Sequence, residues 1–178
     1  MILLINLCRE KLHYYEFVKP IEDILKRNKI NFSTKHYKQI NENDLEKSSK
    51  VIICGTSLKD FDYLKNLEKF NWIKNFDKPL LAICGGMQII GRLWGSRIKD
   101  KMEIGFYKEN FQQNFLGMIG EKEVYHLHNQ YTIFPRDFTE FTNSEIPQAV
   151  KHKTKEIYGV LFHPEVRNKE IIEEFAKL

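Results

Sequence analysis

Apolar residues arrive in short blocks separated by longer amphipathic stretches. Residues 2–7, Val51–Cys54 and Pro79–Ile83 are nearly unbroken apolar runs, as expected of parallel strands buried on both faces. Residues 30–36 predict a further strand. Between these blocks the period lengthens. The stretch from His13 to Asn28 sets Phe17, Ile21, Ile24 and Leu25 at helical spacing, and Asn43–Lys47 predicts a short helix. Phe61–Phe76 carries Leu64, Leu67, Trp72 and Ile73 and reads as helix and connector. Gly86–Trp94 puts Met87, Ile90 and Trp94 on one helical face. Strands alternating with helices imply right-handed crossovers and a parallel sheet covered on both faces.

From Arg97 to Phe162 the pattern changes. Short strand-like pieces follow one another with little helix: Glu103–Tyr107, Glu123–Leu127, Tyr131–Phe134, Gln148–Lys151 and Ile157–Phe162. They predict antiparallel strands, added to the sheet edge or forming a small ribbon. A last helix is expected over Lys169–Lys177. There is no repeat, linker or low-complexity segment, so residues 1–178 are expected to form a single domain.

Composition narrows the class. A chain of 178 residues with 42% hydrophobic and 29% charged residues can bury its own core. Three cysteines, an odd number, argue against a secreted disulfide framework. The opening apolar run is too short for a signal peptide or a membrane span. The expectation is a cytoplasmic protein with no membrane association. A net charge of +4 and a pI of about 8.8 are only mildly basic. Lysines are spread along the chain, densest at 47–50 and 151–155, so direct nucleic-acid binding is not expected.

The candidate chemistry lies at Pro79-Leu80-Leu81-Ala82-Ile83-Cys84-Gly85-Gly86-Met87-Gln88. A buried strand runs into Cys84 and a helix starts directly after it. Small residues at 82 and 86 are what a tight strand–nucleophile–helix turn requires. Such a turn exposes the sulfur at the carboxyl end of the sheet, where open α/β sheets bind ligands. Cys8 and Cys54 lack this context and read as structural thiols. A cysteine nucleophile needs a base, and the base needs an orienting group. Gly159-Val160-Leu161-Phe162-His163-Pro164-Glu165 offers both. A strand delivers His163, Pro164 stops the strand, and Glu165 can turn back to the imidazole. His126-Leu127-His128 hints at a metal, but two ligands without a third carry little weight, and no metal or cofactor is expected.

Ala82–Gln88 taken with Tyr158-Gly159-Val160-Leu161-Phe162-His163-Pro164-Glu165 resembles the class I (triad) glutamine amidotransferases over almost the whole chain. The resemblance implies a flavodoxin-like three-layer α/β fold, with a central, mostly parallel sheet and a small antiparallel extension. It implies hydrolysis of the glutamine side-chain amide. Cys84 would form a γ-glutamyl thioester, His163 would be general base and acid, and Glu165 would orient the ring. Gly85 would give one oxyanion donor through its N–H. The loop at Gly55 would give another, although the family's glycine-rich run is reduced here to that one glycine. Gln88 matches a position that helps hold glutamine. His128 falls in a segment that faces substrate or partner.

Within the family, residues 149–165 are similar to the ends of stand-alone GMP synthetase glutaminase subunits and also to anthranilate-synthase-type glutaminases. Cys84-Gly85-Gly86 is closer to the cobyrinate and cell-wall amidotransferases. A chain of this length leaves no room for a synthetase domain, so a separate ammonia-accepting synthetase is the expected partner. The alternative is a γ-glutamyl peptidase or hydrolase of the same fold acting alone.

Overall fold

The computed structural model describes residues 1–178. Five strands form the parallel part of a seven-stranded sheet: β1 (Ile2–Asn6), β2 (Phe32–His36), β3 (Lys50–Ile53), β4 (Leu80–Ile83) and β9 (Ile157–Val160). Their order is β2-β1-β3-β4-β9, the flavodoxin-like arrangement in which the chain reverses direction between β1 and β3. Two antiparallel strands continue the sheet beyond β9: β8 (Ala149–His152) and then β7 (Phe138–Glu140).

The apolar blocks become strands because both of their faces are covered. Ile2 and Leu4, Ile52, Leu81 and Ile83, and Val160 point into one core cluster. Leu3 and Ile5, Val51 and Ile53, Leu80 and Ala82, and Ile157 point into the other. The period of two is present, but hidden in the sequence because every position is apolar.

Helices cover the two faces: α1 (Lys11–Phe17), α2 (Lys19–Arg27), α3 (Glu42–Lys47), α4 (Asp62–Lys65), α5 (Gly85–Leu93) and α6 (Glu170–Lys177). The single helix expected over His13–Asn28 is two helices, parted at Val18. Pro20 lies in the first turn of the second, where its missing N–H costs nothing; inside a continuous helix it would clash with the carbonyl four residues back. Phe61–Phe76 folds as the short α4 followed by a 3₁₀ segment over Leu67–Asn75. No helix is long and apolar enough to cross a membrane.

The second half departs further from expectation. The pieces at 103–107 and 123–127 are parts of one long hairpin, β5 (Ile98–Phe115) with β6 (Met118–Thr132), which forms its own two-stranded sheet. Its turn uses Leu116 and Gly117, both at positive φ. Tyr131–Phe134 is not a separate strand; β6 ends at Thr132. Ile157–Phe162 is not an antiparallel addition to the sheet edge either. As β9 it runs parallel to β4 in the sheet interior, with Leu80 opposite Ile157 and Ile83 opposite Val160.

Candidate active site

The loops after β1, β3, β4 and β9 meet at the carboxyl end of the parallel strands. Cys84 leaves β4 with φ +48° and ψ −101° and immediately precedes α5. A positive φ is strained for a residue with a side chain. It persists because both flanks are fixed: the Cys84 N–H donates to the Val160 carbonyl at 2.8 Å, and the Gln88 N–H donates to the Cys84 carbonyl at 3.1 Å. The glycines that follow are required by proximity. A Cβ on Gly86 would lie 2.9 Å from the Ile53 carbonyl oxygen, and one on Gly85 would lie 3.0 Å from the Tyr63 ring.

His163 lies just beyond β9 and is 1% exposed. Its Nδ1 is 2.8 Å from Glu165 Oε1, and its ring packs on Phe17 with centroids 5.3 Å apart. This leaves Nε2 without a hydrogen-bond partner of its own. Burial opposes the charged imidazolium, but the Glu165 carboxylate and the Cys84 sulfur outweigh it and hold His163 well above the usual histidine range. The protonated ring is the form this setting favours. By contrast, burial pushes the Cys8 thiol up to about 11 and the fully buried Cys54 thiol well above the ordinary value. Both are poor nucleophiles at neutral pH.

Gly55 touches both principal residues. A Cβ there would stand 2.6 Å from His163 Cε1 and 3.5 Å from Cys84 Cβ. Its loop is pinned by Asp60, which accepts from the Thr56 hydroxyl at 3.0 Å and the Arg9 N–H at 2.6 Å. Gly85 opens α5, where the first N–H groups have no intrahelical acceptor. The structure therefore brings Cys84, His163, Glu165, Gly55 and Gly85 together.

A narrow slot with a cavity volume of only about 10 Å³ leads to Cys84; Thr56, Phe61, Tyr63, Gln88 and His128 are among its walls. Gln88 is at the slot, but its amide is already engaged: Oε1 accepts from the Tyr63 hydroxyl at 2.6 Å and Nε2 donates to the Gln130 carbonyl at 3.1 Å. Both ends of the side chain are thus held within the slot wall. Tyr63 was not evident in the sequence, since an aromatic residue in an amphipathic stretch reads as core.

His128 borders the slot through β6, yet its Nε2 lies 3.1 Å from Glu103 Oε2. Burial, together with the neighbouring His126, pushes His128 down to about 4. Between the two histidines, the Leu127 carbonyl lies 3.7 Å from Cys84 Sγ. Two residues earlier, the Tyr125 carbonyl accepts the His163 N–H at 2.9 Å. The hairpin thus forms one wall of the site with its backbone.

The family model for glutamine amidotransferase class-I matches residues 13–177. A glutamine-hydrolyzing GMP synthase subunit of Methanobrevibacter smithii is 35% identical over 107 residues, 54% of this chain and 55% of that protein. Its counterpart in Methanosphaera stadtmanae is 36% identical over 120 residues, 60% of this chain and 63% of that protein. The matches thus span less than two thirds of these relatives. Among solved structures, a Thermoplasma acidophilum protein described as a GMP synthase subunit superposes with a TM-score of 0.87 at 23% identity, covering 99% of this chain and 92% of that one. A glutamine amidotransferase of Thermotoga maritima gives 0.73 at 22%, covering 99% and 82%. At these identities the structural likeness concerns the fold.

Proposed function

Because the chain belongs to the class-I glutamine amidotransferases, we propose that it hydrolyses the glutamine side-chain amide with Cys84 as nucleophile and passes ammonia to a separate synthetase. The observation that carries this reading is the buried His163–Glu165 pair, 2.8 Å apart, beside a cysteine held at positive φ. Cys84 Sγ, its proton already held on His163, bonds as thiolate to the amide carbon. The carbonyl oxygen gains negative charge, which the N–H of Gly85 and a donor from the Gly55 loop would receive. His163 then gives its proton to the amide nitrogen, the C–N bond breaks, and ammonia departs from a γ-glutamyl thioester. Water, deprotonated by His163, attacks the thioester and releases glutamate and the Cys84 thiol. Glu165 keeps Nε2 directed at the reaction and stabilises the imidazolium.

The relatives' designation as glutamine-hydrolyzing subunits of GMP synthase supports a GMP-forming synthetase as the ammonia acceptor. The test is a glutamine-like diazo-ketone label followed by mass mapping. Label on Cys84 alone, sparing Cys8 and Cys54, is expected; label on another residue overturns the assignment. Glu165→Gln should retain partial glutaminase activity, because nucleophile and base remain while orientation is lost. Steady hydrolysis of γ-glutamyl substrates, unaltered by any synthetase, would replace the ammonia-delivery reading with that of a free-standing hydrolase.

A further inference from the structure

We propose that Glu103, His126 and His128 form a binding site for a divalent transition-metal ion of the zinc class, set behind the strand that walls the candidate active site. In the sequence only the His126-x-His128 pair was visible. The hairpin register places Glu103 opposite His128 and so supplies a third donor. The three donor atoms lie within 4.8 Å of one another. Glu103 Oε2 is 2.9 Å from His126 Nδ1 and 3.1 Å from His128 Nε2. Ligand atoms around a tetrahedral zinc, with bonds of about 2.0–2.1 Å, stand about 3.4 Å apart. A slight opening of the cluster therefore admits an ion.

The donor chemistry selects the metal. Two imidazoles and one carboxylate suit zinc and its neighbours, whereas calcium and magnesium prefer all-oxygen sites. His126 is 0% exposed and His128 1%. His128 Nδ1 has no hydrogen-bond partner, and Nε2, 3.1 Å from Glu103 Oε2, makes no well-aligned one. A buried polar atom in that condition is costly, and an ion at Nε2 relieves it.

The surroundings match those of a supported metal site. Glu109 Oε1 lies 3.4 Å from His126 Nε2, across the ring from Nδ1. That nitrogen has no hydrogen-bond partner, and a small shift would let the Glu109 carboxylate accept from it, the tautomer that leaves Nδ1 free to bind metal. Ser144 in turn donates to Glu109. Gln148 Nε2 donates to Glu103 Oε2 at 3.1 Å, and Tyr107 stacks on His126 with centroids 4.4 Å apart. Lys101 lies 3.5 Å from the other Glu103 oxygen, Oε1. The bound ion would fix the segment whose Leu127 and Tyr125 carbonyls face Cys84 and His163. Its role is positional.

The test uses the whole chain, purified without a metal-affinity tag and stripped with chelator. One equivalent of Co²⁺ should remain bound through gel filtration and give d–d absorption without a thiolate charge-transfer band. Zn²⁺ should raise the melting temperature. Glu103→Gln and His126→Gln should each weaken Co²⁺ binding at least about tenfold, while Cys84→Ala binds as wild type does. Failure of the wild-type chain to retain the ion overturns the proposal, as does undiminished binding in both variants. A thiolate band, or loss of binding in Cys84→Ala, puts the ion on the thiol and overturns it too. Should the variants not fold, the wild-type cobalt spectrum decides. None of these readouts depends on glutamine hydrolysis, so failure of the functional reading and failure of this one are distinguishable.

Discussion

The parallel strands and the β5–β6 hairpin meet at the same site but are built on opposite terms. Strands β1, β3, β4 and β9 are apolar at nearly every position and buried on both faces. The hairpin keeps Met102, Ile104 and Phe106 largely exposed on one side of β5, with Ile119 exposed near its turn. Its other side holds the buried ionisable groups Glu109, His126 and His128. The sheet contributes the side chains proposed to react, at the ends of rigid strands. The hairpin contributes backbone carbonyls and a polar interior that close the site. A rigid frame thus sets the geometry of the chemistry, and a separately built arm sets who reaches it.

Substitutions sharpen that contrast. The largest effect is expected at the end of β4: Cys84→Ala should lower glutaminase kcat by at least about 10³-fold while leaving the circular dichroism spectrum unchanged. Next comes the sheet interior. Ile52→Ala should cost about 2–5 kcal/mol in denaturant unfolding, because Ile52 is fully buried and a cavity would remain. Gly55→Ala should separate the two quantities. A Cβ 2.6 Å from His163 Cε1 must displace the imidazole, so kcat should fall on the order of 10²-fold, with a much smaller change in Tm. A comparable loss in both would mean that Gly55 serves the frame alone.

A pH series tests the His163–Glu165 pair. The folded-state pKa of His163 is raised, so its stabilisation is complete below the unfolded value of about 6.5 and fades as pH rises through the folded value. The Tm advantage of wild type over His163→Gln should shrink as pH increases above 6.5. An advantage that grows with alkalinity would contradict the assigned charge state. The smallest effect is expected at the tip of the arm, where Ile119→Ser should alter stability by no more than about 0.5 kcal/mol.

The sheet and the elbow were legible because their signals are local. A buried strand is a block of apolar letters, and a nucleophile turn is a cysteine between small residues. His163 was legible because Pro164 and Glu165 stand beside it. The position of β9 was not, since its apolar run fits an edge or a centre equally well and only pairing with β4 decides. The hairpin was seen in fragments, because its bulges near Asp100 and Phe111 interrupt the alternation. Glu103 was invisible as a partner of His126 and His128 for a related reason: hairpin register, not sequence spacing, makes them neighbours. Pro20 was in plain view, but the helical period on either side of it obscured the break.

The central place of β9 has a consequence during synthesis. β4 and its nucleophile turn emerge from the ribosome early, yet the neighbour that completes β4 begins only at Ile157. Until then one edge of β4 is open, and the Cys84 N–H lacks the Val160 carbonyl. Pairings over such separations form late, after the local elements. The same late strand carries His163 to its place. A nascent or truncated chain that stops before residue 157 therefore has the thiol but neither its base nor its finished turn. On the proposed mechanism, such incomplete chains should show no glutaminase activity.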